Sequence, residues 1–111
     1  AGDAECCGIL LGHRDRIERA IAAANVASDP SRHFEIDPAA LVTAHRAARS
    51  GGPAVVGYYH SHPRGLPVPS DTDCEHASGD GRVWAIVGQG EVRFWRDDGS
   101  FSPLSYQVVD G

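Results

Sequence analysis

The sequence predicts an α+β domain: a mixed, mostly antiparallel sheet flanked by helices. Three observations carry that prediction. Short apolar and β-branched runs recur between Gly, Pro and Asp turns, as strands require. One segment has apolar residues at helical spacing behind a capping pair. The length of 111 residues, 41% apolar and 23% charged, suits a single buried core, so residues 1–111 read as one domain.

Residues 6–12 (CCGILLG) form an apolar run closed by glycine and read as a buried strand. Residues 16–27 (RIERAIAAANVA) are rich in alanine, which favours a helix. They leave a turn at 12–15, however, and put Ile17, Arg19 and Ile21 on one face with Glu18 and Ala20 on the other. They are therefore read as the hairpin partner of the first strand. Residues 28–32 turn the chain. Asp37 as N-cap and Pro38 at the first helical position open a helix with Leu41, Ala44, His45 and Ala48 on one face. Residues 50–53 (SGGP) end it.

Residues 54–60 (AVVGYYH) are β-branched and aromatic, the composition of a central strand. Residues 63–69 (PRGLPVP) hold too much proline for regular structure. Ser70 then caps a short helix running to about Ser78. Residues 82–87 and 91–96 flank a glycine turn as a hairpin, and residues 101–109 offer a last strand.

A net charge of −5 argues against nucleic acid as a partner, because phosphate binding needs a concentrated basic face. All ten basic residues are Arg, which GC-rich codon usage explains. No apolar run approaches the ~20 residues that span a bilayer, so no membrane role is expected and the cytoplasm is the default compartment. Cys6, Cys7 and Cys74 do not make a disulfide framework and read as small buried hydrophobes in a reducing compartment.

The chemistry concentrates in His60-Ser61-His62-Pro63 and the later Asp73. On a strand, residues i and i+2 share a face, so both imidazoles point the same way. Two imidazoles and one carboxylate leave a fourth tetrahedral position for water, the pattern of a catalytic metal site. Zinc and non-haem iron(II) both suit this ligand set. Taken alone, Glu5 reads as a charge at a strand end, and Ser70 as a helix cap that could still reach the site.

His60-Ser61-His62-Pro63 with Ser70 and Asp73 resembles the JAMM (MPN+) metalloprotease signature His-x-His-Pro…Ser-x-x-Asp. Residues 5–12 (ECCGILLG) resemble that family's Glu-bearing first strand, and Asn25 and residues 34–38 fall in the family's order. The resemblance implies a cytidine-deaminase-like α/β/α sandwich and one Zn2+ per chain, bound by His60, His62 and Asp73. It implies that Glu5 moves the proton of the zinc water, and that Ser70 hydrogen-bonds the oxyanion. The implied substrate is an amide or isopeptide next to the C-terminal Gly-Gly tail of a ubiquitin-like or sulfur-carrier protein. Short connections resemble the compact prokaryotic type, and a further helix is expected upstream of residue 1. A cell-wall peptide hydrolase is one rival. A non-catalytic MPN scaffold is another, although such modules typically lack metal ligands that this chain keeps. Ser61 is expected to be structural, and Cys74 to point away from the metal. His13, His33, His45 and His76 lack ligand spacing, and Trp84 and Trp95 read as core or sheet-face aromatics.

Overall fold

A computed structural model describes residues 5–13, 16–30, 34–63 and 65–108. Along the chain come β1 (Cys7–His13), β2 (Arg16–Ala23), α1 (Pro38–Arg49), β3 (Ala54–Ser61), α2 (Asp71–Glu75), β4 (Val83–Gly88), β5 (Glu91–Arg96) and β6 (Ser102–Leu104). The strands form one sheet in the order β2-β1-β3-β4-β5-β6. Among the described residues only the β3–β4 pair is parallel. This is the α+β arrangement with a mixed, mostly antiparallel sheet that the pattern predicts.

The alanine-rich segment is a strand, but it ends at Ala23 rather than residue 27. Although Arg19 and Ile21 share a face as expected, a bulge at Leu11/Gly12 sets Ile17 opposite Gly12, on the other face. Ile21 lies opposite Ile9 and Ala20 opposite Leu10 in the β1–β2 ladder. Alanine is tolerated there because β2 is an edge strand whose outer residues are largely exposed and need little packing volume. Helix α1 starts as expected: the Asp37 carboxylate accepts the Ala39 N–H at 3.0 Å, with Pro38 behind the cap. Its Ala44, together with Ala40 and Leu41, packs on Cys7, Ile9, Leu11, Ile36 and Val55. Ile9 is 1% exposed at the centre of that core, so truncation to alanine would cost about 2–5 kcal/mol.

A parallel pair cannot be joined by a tight turn, so the chain needs a crossover between β3 and β4. Residues 62–82 form it and carry α2. That helix ends at Glu75, with His76 as its C-cap, rather than at Ser78. The cause is Asp97, fully buried, whose carboxylate accepts the N–H groups of Ser78 and Gly79 at 3.0 Å each. Those donors, with Gly79 at φ +71°, are drawn out of helical geometry. The last strand is also shorter than expected, Ser102–Leu104. Pro103 has no N–H to extend a ladder, and Val109 lies outside the described residues. Cys7 is buried as expected, but Cys6 and Cys74 are exposed, which corrects the reading of all three as core residues. No helix among the described residues is long and apolar enough to cross a membrane.

Candidate metal centre

The end of β3 delivers the first two candidate ligands. His60 is fully buried, paired with Cys7 of β1 and Ile86 of β4. One residue past the strand, the His62 N–H still donates to Val87 O at 2.7 Å, so the ladder fixes its backbone. The His62 ring is fixed too, with Nδ1 2.8 Å from Leu66 O. A carbonyl only accepts, so Nδ1 carries a proton; in the neutral ring Nε2 offers a lone pair to the site, and in the protonated ring it donates to Asp73 Oδ2.

Asp73 arrives from the first turn of α2. A capping box sets it: Ser70 Oγ accepts the Asp73 N–H at 3.1 Å, and Asp73 Oδ2 accepts the Ser70 N–H at 2.9 Å. The same Oδ2 stands 3.1 Å from His60 Nε2 and 3.0 Å from His62 Nε2, while the two Nε2 atoms are 3.1 Å apart. Ligand atoms bound at 2.0–2.1 Å around a tetrahedral ion are about 3.3–3.4 Å apart. The triangle is within a few tenths of an ångström of that spacing. Three ligand atoms so close repel one another unless a proton, as on a histidine Nε2 that donates to Asp73, or a cation lies between them. The residues therefore fit a metal.

Glu5 lies beside the triangle, with a carboxylate oxygen within 4.8 Å of nitrogens of both His60 and His62. The Glu5 N–H donates to Pro30 O at 2.6 Å, and its carbonyl accepts from Asn25 Nδ2 at 2.8 Å. Its side chain is buried, and Oε1 has no hydrogen-bond partner among the described residues. Burial first, and the neighbouring Asp73 charge second, push its carboxyl up to about 7, against a smaller opposing pull from His62. Burial also pushes Asp73 up, but hydrogen bonds from His60, His62 and Ser70 outweigh it and hold that carboxyl well below the usual range. Burial lowers His60 despite its bond to Asp73. His62, less enclosed, is raised by its bond to Asp73. One ionised carboxylate thus sits beside one poised near neutrality.

Three contributors to the site were not identified as such in the sequence. Phe34 stacks on the His60 ring at 4.3 Å, and Trp84 meets it edge-on at 5.4 Å, closing the hydrophobic side of the ligand. Asn25 holds the Glu5 backbone while its Oδ1 accepts from Ala27 and Glu35 N–H groups at 3.0 and 3.1 Å. A polar residue inside an otherwise apolar alanine run was the available signal. Ser61 is structural as expected, its Oγ accepting the Cys6 N–H at 2.9 Å. Cys74, His13 and His76 are exposed and His45 is half-buried, while His33 lies outside the described residues.

Residues 1–98 match the family model for prokaryotic homologues of the JAB domain. The chain belongs to that family. This JAB domain is 42% identical over 115 aligned residues to a desampylase of Haloferax volcanii, covering 97% of this chain and 82% of the relative. It is 30% identical to a CysO-cysteine peptidase of Mycobacterium tuberculosis, covering 96% and 70% of the two chains. Among solved structures, the solution structure of protein DSY2949 from Desulfitobacterium hafniense superposes with a TM-score of 0.78 at 27% identity, over 94% of this chain and 77% of that one.

Proposed function

We propose that this JAB domain is a zinc-dependent peptidase or isopeptidase. Its substrate is an amide bond next to the C-terminal Gly-Gly tail of a ubiquitin-like or sulfur-carrier protein. The observation that carries the reading is the triangle of His60, His62 and Asp73 ligand atoms, with Glu5 beside it and its buried Oε1 without a partner among the described residues. The desampylase and CysO-cysteine peptidase relatives support hydrolysis of a protein conjugate as the reaction.

His60 and His62 through Nε2, and Asp73 through Oδ2, would hold one zinc ion per chain. Such an ion supplies a Lewis acid and brings the pKa of a bound water to about 7. Glu5 is the proton carrier. Its carboxylate takes a proton from the attacking water, and then passes it to the amine nitrogen as the C–N bond breaks. The products are the carrier with a free terminal carboxylate and the released amine. Burial and the Asp73 charge hold this carboxyl at about 7 in the metal-free protein, and a cation on the neighbouring ligands would draw it down toward the ionised form that accepts a proton. Ser70 Oγ already accepts from Asp73 N–H, which leaves its own O–H free to donate to the oxyanion. Exposed thiols at Cys6 and Cys74 suit a reducing compartment, and we place the reaction in the cytoplasm.

The test uses a carrier protein joined through its Gly-Gly tail to a lysine side chain or an amino acid, followed by intact mass. Wild type should release the free carrier, while Glu5→Gln should retain one metal ion per chain and lose turnover. Full turnover by that variant, or a wild-type chain that binds no divalent ion, would overturn the reading.

A further inference from the structure

Two residues on the strands beyond β3 bear on His62 without touching it. Trp84, Ile86 and Gly88 of β4 share a sheet face, and Ile86 pairs with His60, so this face carries the candidate ligands. Trp95 of β5 lies opposite Trp84 on the same side. Its indole Nε1–H donates to Pro67 O at 3.2 Å. Pro67 is buried, and its neighbour Leu66 supplies the carbonyl on which His62 Nδ1 rests at 2.8 Å. From beneath, the same stretch lies on Gly88. A Cβ built there would stand 2.4 Å from Gly65 O, 2.8 Å from Leu66 C and 2.9 Å from Pro67 N. All three are backbone atoms that cannot swing aside. The Gly65 N–H closes the strap by donating to His62 O at 3.3 Å.

We propose that Trp95 and Gly88 are positioning residues for His62, setting its ring orientation and so its metal affinity through the backbone of residues 65–67. The proposal rests on the metal reading above. A proline-rich strap has few internal hydrogen bonds, so external anchors decide where Leu66 O lies. Proline at 67 also stiffens the step between the anchored carbonyl and the one that holds the histidine.

The experiment is zinc affinity by competition with a chromophoric chelator, in wild type, Trp95→Phe, Gly88→Ala and Phe94→Leu. An outer hydrogen-bond partner of a ligating histidine is worth about 10–100-fold in affinity, so Trp95→Phe, acting one peptide further out, should weaken zinc binding about 3–10-fold, and Gly88→Ala about 10–100-fold. Phe94→Leu cuts a ring that packs on Tyr106 on the opposite sheet face. It should lower the melting temperature yet leave zinc affinity at the wild-type value. In the metal-free protein, long-range 1H–15N spectra should show His62 protonated at Nδ1 in wild type and a mixture of tautomers in Trp95→Phe. Wild-type zinc affinity in Trp95→Phe, with a lowered melting temperature alone, would overturn the proposal. Should Gly88→Ala not fold, Trp95→Phe still decides. Failure of the wild type itself to bind zinc would instead remove the metal reading.

Discussion

Replacing Glu5 by glutamine in the metal-free protein should stabilise it, and more so as the pH rises. Burial and Asp73 move the Glu5 carboxyl from 4.5 to about 7, a rise of about 2.5. At about 1.4 kcal/mol per unit, ionising it in the folded state costs on the order of 3 kcal/mol. Below pH 4.5 the carboxyl is protonated whether the chain is folded or not, and the favourable contribution is complete. Between 4.5 and 7 the unfolded chain ionises first, so wild type loses ground; above 7 the loss is complete. Glutamine has nearly the same shape and does not titrate. Urea unfolding of both proteins at intervals from pH 4.5 to 8, with chelator present, should therefore show curves that separate as pH rises, the variant becoming more stable by up to about 3 kcal/mol. His62 and Asp73 are coupled to Glu5, so the difference reports the ionisation of Glu5 together with its effect on those two groups. Saturating divalent metal adds positive charge nearby and should narrow the gap. Parallel curves over the whole range would show that the buried carboxylate carries no such penalty, and the argument for a poised proton carrier would fall with it.

Three further outcomes follow from the same geometry. Asp73→Ala removes a ligand and half of the capping box, so metal analysis after loading and desalting should find almost no bound ion, and the apo protein should lose about 1 kcal/mol in urea unfolding. Asp97→Ala removes the buried carboxylate that accepts the N–H groups of Ser78, Gly79 and Gly99 and should destabilise the fold by about 1–3 kcal/mol without changing zinc affinity. Asn25→Ala should retain metal but lower kcat about 10–100-fold by letting the Glu5 backbone drift, read from turnover of a Gly-Gly conjugate.

Local signals made most of the fold legible. The hairpin position of residues 16–23 outweighed alanine content because an edge strand asks little of its side chains, while the bulge that turns Ile17 to the other face had no local signal. Asp37-Pro38 marked the start of α1 because a cap and a fixed φ are properties of adjacent residues. The end of α2 was not legible. It depends on the Asp97 carboxylate, which lies far along the chain and looks like one acid of an exposed turn. The triangle was half legible: period-two alternation put His60 and His62 on one side, whereas the approach of Asp73 depended on matching its spacing to a known signature. Phe34, Trp84 and Asn25 escaped assignment to the site, since aromatic and amide side chains there fit ordinary packing equally well. Contacts across the sheet decide their role.

The single parallel pairing has a practical consequence. Because β4 runs alongside β3, the ends of β1 and β5 and the beginnings of β3 and β4 gather at the sheet pole opposite the chemistry. From Ala54 to His60 is six steps of extended backbone, or about 20 Å. A fluorophore or affinity handle grafted into residues 50–53, ahead of β3, would report on the molecule from that distance and leave the substrate's approach open.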